Sequence, residues 1–364
     1  MKVKVGDITK IKTGKLDANA SSTDGKYPFF TCSKEPLKID TYSYDCECVL
    51  VAGNGDLNVK YYNGKFDAYQ RTYIIEDDSN GLLYMPYLYY FLERYIEVLR
   101  KQSIGGVIKY IKLGNLTEAL IELPSIEEQK HVVSLMNISS ELISLRKNII
   151  DKLETLIKAR FVEMFGDYLK DDRRPLSEVA IITGGLTKNS NRNTFETKMP
   201  YLRVANVFYN RLDLREILEI GVKEEEIEKT LLQAGDLLFV EGNGSIEQIG
   251  RVAIWDGSID PILHQNHLIK ARFNNEIIAP EYALFYFMLQ DGRQQIISKS
   301  VSTSGLNTLS VNKVSSLLLP IPPIALQKQF AEFINQTDKS KVVVQKALDE
   351  AQTLFDSLMQ EYFG

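Results

Sequence analysis

The sequence predicts an α+β protein in which two mostly-β domains are each followed by a long helix, and the two helices pair as an antiparallel coiled coil with pseudo-two-fold symmetry. The first observation behind this prediction is a repeat, because residues 124–166 align with residues 322–364 at a constant offset of 198 residues. The second is the spacing of apolar positions in both copies, three or four residues apart, which is typical of paired helices. The third is that the segments before each helix are rich in Val, Ile, Tyr and Phe, with Gly, Asn and Asp at turns, as in short strands and hairpins.

The expected domain boundaries follow the repeat. They divide the chain into a first β-rich domain (1–124), a first long helix (125–166), a second β-rich domain (167–322) and a second long helix (323–364). Ser125 and Glu128 form a capping box directly after Pro124, which predicts where the first helix begins. About 38 residues at 1.5 Å each give a helix of about 57 Å, too long to bury its apolar face inside one small domain. We therefore expect this helix to pair with its repeat.

The apolar positions of each helix predict which face makes the pairing. In the first helix they are Leu135, Ile138, Leu142, Leu145, Ile149, Leu153 and Leu156. In the second helix they are Phe333, Val343, Ala347, Ala351, Leu354 and Leu358. Gln336 and Ser340 stand at expected apolar places in the second series, so we expect a less tight pairing there.

The overall composition is that of a folded protein. The chain has 364 residues, 44% apolar and 25% charged, which is enough for two or three globular domains. It contains no run of 18 apolar residues and no signal-peptide core, so we expect a cytoplasmic protein that does not associate with a membrane. An odd number of cysteines (Cys32, Cys46 and Cys48) argues against a disulfide framework.

The charge balance and the duplicated plan both bear on nucleic acid binding. Two related domains on a stiff pair of helices suit a ligand with pseudo-two-fold symmetry, and duplex DNA is the commonest such ligand. The net charge is −5, however, and none of the four segments is basic as a whole. A protein that holds DNA alone through its phosphates is usually basic. If the chain binds DNA, its cations must therefore be concentrated in small patches, or partner subunits must supply much of the contact with the DNA phosphates.

A Gly-Asn-Gly sequence recurs at the same place in both β-rich domains, as residues 53–55 and 242–244. It is either a tight hairpin turn or a loop whose Asn and backbone N–H groups approach DNA. Arg and Gln near these turns are the residues that pair with guanine and adenine edges, and a late loop of each domain suits phosphate contacts. The candidate DNA-binding residues are Asn54, Lys60, Lys65, Tyr69, Gln70, Arg71 and Lys109 in the first domain, and Arg203, Asn206, Asn243, Gln248, Arg251, His264, Gln265, Asn266, His267 and Ser304 in the second. For each of them, the alternative is a solvated position on a strand or turn.

The sequence indicates neither a catalytic nor a cofactor or metal site, so we do not expect an enzyme. His264-x-x-His267 and Cys46-x-Cys48 are too sparse for zinc. Neither a Gly-rich S-adenosylmethionine loop, nor an Asn/Asp-Pro-Pro-aromatic methyltransferase motif, nor a phosphate-binding GxxxxGK[ST] loop is present. Asp236 and Glu241 are two acids without the lysine that would follow in a nuclease.

The ordered repetition resembles the specificity-subunit (HsdS) family of type I restriction-modification enzymes, and it does so over the whole chain. The residues that carry the resemblance are Leu123-Pro124 with Glu128-Gln129, Ile321-Pro322-Pro323 with Leu326-Gln327, the two Gly-Asn-Gly sequences, and Phe-Gly at 165–166 and 363–364. The resemblance implies two target-recognition domains that each read half of an interrupted site in double-stranded DNA. It also implies that the helices set the gap between the halves.

The resemblance further implies partners that do the chemistry. Two methyltransferase subunits that carry S-adenosylmethionine and methylate adenine would bind the helices, and restriction (motor-nuclease) subunits would join them. A different class of function also fits the sequence. The chain is then a coiled-coil adaptor whose two β-domains bind proteins and never contact DNA, which the neutral-to-acidic charge favours.

Overall fold

The computed structural model describes residues 1–170, 173–303 and 305–364. The chain forms two compact units: unit 1 contains Met1–Ile149 and Val344–Gly364, and unit 2 contains Ile150–Val343. The sequence boundaries fall at the ends of the long helices, whereas the units divide within them. Each unit therefore contains one β-rich part together with a piece of both long helices.

Unit 1 is built mostly from strands. They are β1 (Lys2–Lys4), β2 (Thr9–Thr13), β3 (Tyr27–Phe30), β4 (Leu37–Ile39), β5 (Tyr44–Ala52), β6 (Val59–Ala68), β7 (Thr72–Asp77) and β8 (Leu120–Glu122). The helices are α1 (Val5–Ile8), α2 (Met85–Gln102), α3 (Leu113–Thr117) and α4 (Ile126–Phe165), the last of which continues into unit 2.

The core of unit 1 lies on both faces of one sheet, whose strand order is β2-β7-β5-β6-β3-β4. Side chains alternate along β5, as a period of two requires. Val49 and Val51 therefore pack in the cluster that contains α2, while Cys48 and Leu50 pack on the opposite face. β1 and β8 pair antiparallel just before α4, so the β-rich part closes on itself where the long helix begins.

Unit 2 repeats this plan with more strands. They are β9 (Arg173–Pro175), β10 (Ala180–Gly184), β11 (Lys198–Leu202), β12 (Val207–Phe208), β13 (Arg211–Leu212), β14 (Leu218–Gly221), β15 (Leu237–Val240), β16 (Gly242–Asn243), β17 (Val252–Ile254), β18 (Leu263–His264), β19 (Leu268–Phe273), β20 (Val301–Thr303), β21 (Leu306–Thr308) and β22 (Leu318–Pro320). The helices are α5 (Leu176–Val179), α6 (Glu224–Thr230), α7 (Pro280–Met288), α8 (Gln290–Lys299), α9 (Val311–Ser315) and α10 (Ile324–Phe363).

The two β-rich parts share their central strands. The order β10-β19-β15 in unit 2 repeats β2-β7-β5 in unit 1, and the pair β9–β22 repeats β1–β8. In place of the single helix α2, unit 2 has two helices, α7 and α8, separated at Leu289. The predicted α+β class with repeated β-rich domains and long helices is confirmed.

The repeat is longer than the helices themselves. α4 and α10 have 40 residues each and begin and end at positions 198 residues apart. The same offset relates α3 to α9 and β8 to β22. The capping box predicted at the start of α4 is present, because the Ser125 N–H donates to Glu128 Oε2 at 2.9 Å and the Glu128 N–H donates back to Ser125 Oγ at 3.3 Å.

A buried glutamine joins the start of α4 to the β-rich part of unit 1. Gln129 is fully buried, and its Oε1 accepts the N–H of Tyr84 at 2.8 Å, directly before α2. Its Nε2 donates to the carbonyl oxygens of Leu82 at 2.8 Å and Pro124 at 2.9 Å. All three partners are main-chain atoms that would otherwise need another hydrogen-bond partner in the interior.

Unit 2 contains the same arrangement at the start of α10. Gln327 is fully buried, its Oε1 accepts the N–H of Ala279 at 2.9 Å, and Ala279 directly precedes α7. Its Nε2 donates to Ile277 O at 3.0 Å and Pro322 O at 2.8 Å. The Pro-x-x-x-x-Gln sequence shared by the two copies therefore has a structural role, which is to attach a long helix to a domain by main-chain hydrogen bonds.

The face that α4 uses for pairing differs from the predicted one by about one residue. Of the predicted positions, Leu135 and Leu153 are half-buried and the other five are exposed. The residues that face inward are Val132, Met136, Ser139, Ile143, Arg146, Ile150, Leu153, Ile157 and Phe161, of which Leu153 alone was predicted. α4 carries two apolar faces, and the inner one is interrupted by a serine and an arginine. The outer face has no such interruption, and the spacing of apolar residues in the sequence therefore predicted that face.

Contacts between α4 and α10 in unit 2 show that the helices run antiparallel. In unit 2, Glu154 forms an ion pair with Lys341 at 3.1 Å, and the rings of Phe161 and Phe330 lie 5.3 Å apart, so the partner number falls as the α4 number rises. In unit 1, Arg146 donates to the Ala347 carbonyl.

The predicted seam of α10 needs a similar correction. Val343 and Leu354 are exposed, while Ala351 is buried on the inner face. Gln336 and Ser340 are also exposed, so they do not interrupt the seam and give no reason for a loose pairing. In the described part of the chain, none of the helices has the length and apolar character that crossing a membrane requires.

Candidate nucleic-acid interface

Three loop segments of unit 1 meet where β5 ends. The Gly53 N–H donates to the carbonyl oxygen of Arg71 at 2.8 Å, and the Gly55 N–H donates to Lys109 O at 2.9 Å. The Ile111 N–H returns to Gly53 O at 2.9 Å. Residues 53–55, 69–71 and 109–111, which are far apart in the sequence, are thereby held together by main-chain hydrogen bonds.

Unit 2 holds three equivalent segments with the same bonds. The Glu241 N–H donates to His267 O at 2.9 Å, and the Leu309 N–H donates to Glu241 O at 2.7 Å. β16 pairs with β21, which places Asn243 opposite Asn307. We call these segments the shared edge. It comprises residues 53–55, 69–71 and 109–111 in unit 1, and residues 241–243, 265–267 and 307–309 in unit 2.

The central turns of the two shared edges have the same main-chain hydrogen bonds but different side chains. The turn begins in unit 1 with the N–H of Tyr69, which donates to Phe30 O at 2.9 Å, and in unit 2 with the N–H of Gln265, which donates to Leu202 O at 2.9 Å. The equivalent triplets are Tyr69-Gln70-Arg71 and Gln265-Asn266-His267. All six residues are among the candidates predicted from the sequence, but their one-to-one correspondence was not predicted.

The two Gly-Asn-Gly sequences are not at equivalent positions. Gly53 and Glu241 make the same pair of hydrogen bonds, so Asn54 corresponds to Gly242 and Asn243 corresponds to Gly55. The match predicted from sequence is therefore one residue out. The two Gly-Asn-Gly sequences match as sequences. The structural position of each residue, however, depends on strand pairing with distant segments.

Most side chains on the shared edge are accessible to a ligand. Gln70, Arg71, Lys109 and His267 are exposed, and Asn54, Tyr69, Asn243, Gln265 and Asn266 are half-exposed. Two of them have partners within unit 2: His267 Nδ1 lies 2.8 Å from Glu241 Oε2, and Asn243 Oδ1 accepts the Ser245 N–H at 2.9 Å. The edge thus offers guanidinium, amide, imidazole and ammonium groups to solvent.

Two candidate residues are buried and are left out of the interface. His264 is completely buried, its Nδ1 lies 2.8 Å from the Thr230 carbonyl, and burial lowers its pKa to about 4. Asn206 is 3% exposed and donates to the carbonyl oxygens of Asp213 and Glu216. His264 looks polar and accessible in the sequence, but it precedes the exposed turn at the place that the buried Ala68 occupies in unit 1.

Three other candidates, Arg203, Gln248 and Arg251, have partners within unit 2. In unit 2, Arg203 forms an ion pair with Glu216 at 2.8 Å, and Arg251 donates to Val204 O at 3.0 Å and to Gln248 Oε1 at 3.5 Å. Burial lowers the pKa of the Arg251 guanidinium, which also lies over the ring of Phe208. These groups support the loops of unit 2.

Two lysines of β6 and one serine complete the set. Lys60 is half-buried, donates to Asn58 and has its pKa lowered by burial. Lys65 is exposed with its ammonium 4.6 Å from the centre of the Tyr42 ring. Ser304 lies outside the described residues.

The residue pairs that the sequence analysis weighed as metal ligands or nuclease acids either face different environments or already have partners in the structure. The side chain of His264 is interior while that of His267 is exposed, and the Cys46 thiol donates to Glu76 at 3.4 Å with its pKa raised to about 11, chiefly by burial. Asp236 is buried against the Arg272 guanidinium at 2.7 Å. Across residues 1–170, 173–303 and 305–364, no cluster of three or more His, Cys, Asp or Glu residues is placed to hold a metal ion.

A polar residue inside the shared edge was not among the candidates. Asn307 of β21 is nearly buried, and its Nδ2 lies 3.3 Å from the carbonyl oxygens of Asn243 and Gly244. It stands 198 residues after Lys109, so extending the helix repeat toward the N-terminus would have found it.

Comparison with known proteins agrees with this duplicated arrangement. The model of the type I restriction modification DNA specificity domain matches residues 1–155 and again residues 172–351. The type I restriction enzyme EcoDI specificity subunit of Escherichia coli is 37% identical over 156 residues, which are 43% of this chain and 34% of that protein. The putative MjaX specificity subunit of Methanocaldococcus jannaschii is 28% identical over 215 residues, 58% of this chain and 49% of that protein. The matched regions thus span about a third to a half of these relatives.

Solved structures share the fold. The S subunit of a type I restriction-modification system from M. genitalium aligns with a TM-score of 0.64 at 16% identity, covering 100% of this chain and 96% of that chain. A chain from a structure on complex assembly and conformational transition of the type I system aligns with a TM-score of 0.59 at 15% identity, covering 100% and 97%. Since the family model accounts for most of the sequence, once in each repeat, the chain belongs to the type I restriction modification DNA specificity family.

Proposed function

We propose that this chain is the non-catalytic specificity subunit of a type I restriction-modification complex, and that the shared edge of each unit reads one half of an interrupted site in double-stranded DNA. The observation that carries the proposal is a single main-chain frame that displays different polar triplets in the two units. Two different half-sites require two different sets of donors and acceptors on equivalent supports.

The residue types on the edge suit base and phosphate contacts. A guanidinium such as that of Arg71 can donate two hydrogen bonds to O6 and N7 of guanine. The side-chain amides of Gln70 and Asn266 match N6 and N7 of adenine. An exposed lysine such as Lys109 contacts phosphates and fixes the position of the duplex without reading the sequence.

The chemistry is assigned to partners. In this proposal two methyltransferase subunits bring S-adenosylmethionine and methylate adenine, restriction subunits join them, and the assembly acts in the cytoplasm. A face of α4 is available for docking: Ile138, Leu142, Leu145 and Ile149 lie in unit 1 and are between 36% and 53% exposed. We call these four residues the outer stripe. Their spacings of four, three and four residues are those of a coiled-coil seam, and exposed apolar surface of this kind marks an interaction site.

Exchanging one recognition domain tests the proposal directly. Replacing residues 1–124 by the corresponding domain of another family member, with α4 and Gln129 retained, is expected to change one half of the methylated sequence only. Single-molecule sequencing of methylated adenines, in cells that carry the original gene, the exchanged gene or neither, gives the sequence. A change in both halves would contradict independent reading by the two units.

A binding measurement separates this function from the adaptor function. The full chain, purified with its methyltransferase subunits, is expected to retain random duplexes at low salt and to prefer the methylated sequence identified above. Fluorescence anisotropy reports both properties. Absence of DNA binding at low salt would reject the proposal in favour of a protein-binding adaptor.

The helices provide a further prediction about the gap. Four residues inserted between Ile149 and Ile150, and four between Val343 and Val344, would lengthen both helices where they pass from one unit to the other. Four residues add about 6 Å of helix, which corresponds to one or two base pairs of DNA. We expect the unread gap to lengthen by this amount and both half-sites to stay the same in methylation mapping. An unchanged gap would show that the helices do not set it.

A further inference from the structure

Beside each shared edge, a loop tip exposes aliphatic side chains. In unit 1, Val107 is fully exposed and Ile108 is 63% exposed, directly before Lys109 of the edge. In unit 2, Leu306 is 47% exposed, directly before Asn307 of the edge. Large aliphatic groups held in water next to a binding surface indicate that a ligand covers them.

The tip of unit 1 is a closed hairpin. Ile104 and Tyr110 exchange two main-chain hydrogen bonds, with N–H to O distances of 3.0 and 2.9 Å. Gly105 has a φ of +118°, and a Cβ there would stand 2.5 Å from the carbonyl oxygen of Ile108. This glycine permits a backbone path that another residue would block, so the exposure of Val107 and Ile108 results from a defined turn.

The same position carries a large aliphatic residue in both units. Ile108 and Leu306 are 198 residues apart, the offset that relates the edge residues Lys109 and Asn307 and the helices α3 and α9 behind them. The neighbouring residues differ, since Gly-Gly-Val precedes Ile108 and Thr-Ser-Gly precedes Leu306. A property kept at one position while its surroundings differ points to a ligand feature common to both half-sites.

The charge around the tips favours DNA over an apolar protein surface as that ligand. Residues 98–117 contain no Asp or Glu, and Lys101, Lys109 and Lys112 among them are exposed, whereas Arg100 is paired with Asp56 and Glu97. Residues 292–320 contain Arg293, Lys299 and Lys313 and again no acid. Lysines close in the sequence to an aliphatic tip, with no acid between them, suit a ligand with phosphates outside and apolar base surfaces inside.

We propose that these tips contact the bases of the DNA half-sites through Val107 and Ile108 in unit 1 and through Leu306 in unit 2. This inference rests on the proposed function and adds apolar base contacts to the polar contacts of the shared edge. Aliphatic side chains bind thymine methyl groups in the major groove or press between base steps. In either position they act on sequence-specific binding and leave the attraction to the phosphates unchanged.

The test compares a double variant with two controls in the full chain, purified with its methyltransferase subunits. Val107→Ser/Ile108→Ser is expected to weaken binding to a duplex carrying the mapped site by about tenfold or more, and to leave the affinity for a random duplex and its salt dependence unchanged. Leu82→Ser, which alters an exposed leucine elsewhere in unit 1, is expected to bind both duplexes like the original protein. Lys109→Ala is expected to weaken binding to both duplexes and to reduce the salt slope by about one.

Half-site duplexes assign the effect to one unit. On a duplex with the half-site of unit 1 scrambled, the double variant and the original protein should bind alike, because the contact is already lost. On a duplex with the other half-site scrambled, the loss of about tenfold should persist. Leu306→Ser is expected to show the reverse pattern. Equal binding of the double variant and the original protein to the intact site would overturn the inference, and so would an equal loss on random DNA. If the original protein itself does not distinguish the mapped site from random DNA, the proposed function fails instead.

Discussion

Replacing Gln327 by alanine is expected to lower the free energy of unfolding of unit 2 by about 2–4 kcal/mol, because the change leaves several buried main-chain groups without partners. The side chain is fully buried, and it satisfies the N–H of Ala279 and the carbonyl oxygens of Ile277 and Pro322. Its loss also opens a cavity between the start of α10 and α7. Chemical denaturation followed by circular dichroism measures the change in stability.

Two further variants show whether the effect comes from these hydrogen bonds. Gln327→Glu keeps the acceptor for the Ala279 N–H but removes the two donated bonds and buries a carboxyl group, so we expect it to destabilise unit 2 as well. Gln336→Ala changes an exposed glutamine of the same helix and is expected to alter stability by less than about 0.5 kcal/mol. Faster amide hydrogen exchange at the start of α7 in Gln327→Ala alone would locate the damage. If Gln327→Ala and Gln336→Ala were equally stable, the anchoring role would be wrong.

Changing Leu142 and Leu145 together to aspartate is expected to abolish stable association with the proposed methyltransferase partner. Both side chains belong to the outer stripe and are exposed, 38% and 53% respectively, so the isolated chain loses little core packing. A partner helix packed on this stripe would instead meet two buried carboxylates without cations, which costs several kcal/mol. We expect at least a hundredfold weaker binding, measured by co-purification and by titration of the purified subunits.

The matched control keeps the stripe and changes its polar neighbours. Glu141→Ala/Lys147→Ala alters two exposed residues of the same stretch of α4, and we expect its association to remain within a few-fold of the original. Thermal unfolding of both double variants shows whether α4 remains intact. Full binding by a folded Leu142→Asp/Leu145→Asp protein would place the docking surface elsewhere.

The parts of the fold that sequence predicted well are the local ones. The limits of α4 and α10 and the capping box follow from signals within a few residues of one another. The choice between the two faces of α4 is not local. It is fixed by Gln129 at one end and by Phe161 in the core of unit 2 at the other. Neither constraint is visible in the spacing of leucines.

In the candidate site, too, the local features were predicted and the long-range ones were not. The turns 69–71 and 265–267 were identified because short polar runs follow strand-like segments. His264 was assigned wrongly because its face of the strand is decided by pairing with distant β11. The joining of residues 53–55 to residues 109–111 depends on long-range hydrogen bonds and left no pattern in the sequence.

The buried glutamines have a consequence for how such proteins acquire new specificities. Gln129 and Gln327 bond only to main-chain atoms of the domains that they hold. A joint made to the backbone constrains only the path of the incoming chain, whereas the apolar contacts of Val132, Val133 and Met136 with α2 also constrain its side chains. Recombination between genes at the proline preceding each glutamine would therefore yield chimeric proteins that keep these hydrogen bonds, and they would fold where the incoming domain also matches the apolar face of α4. If each domain reads one half-site, as proposed, new target sequences would then arise by exchange of whole domains.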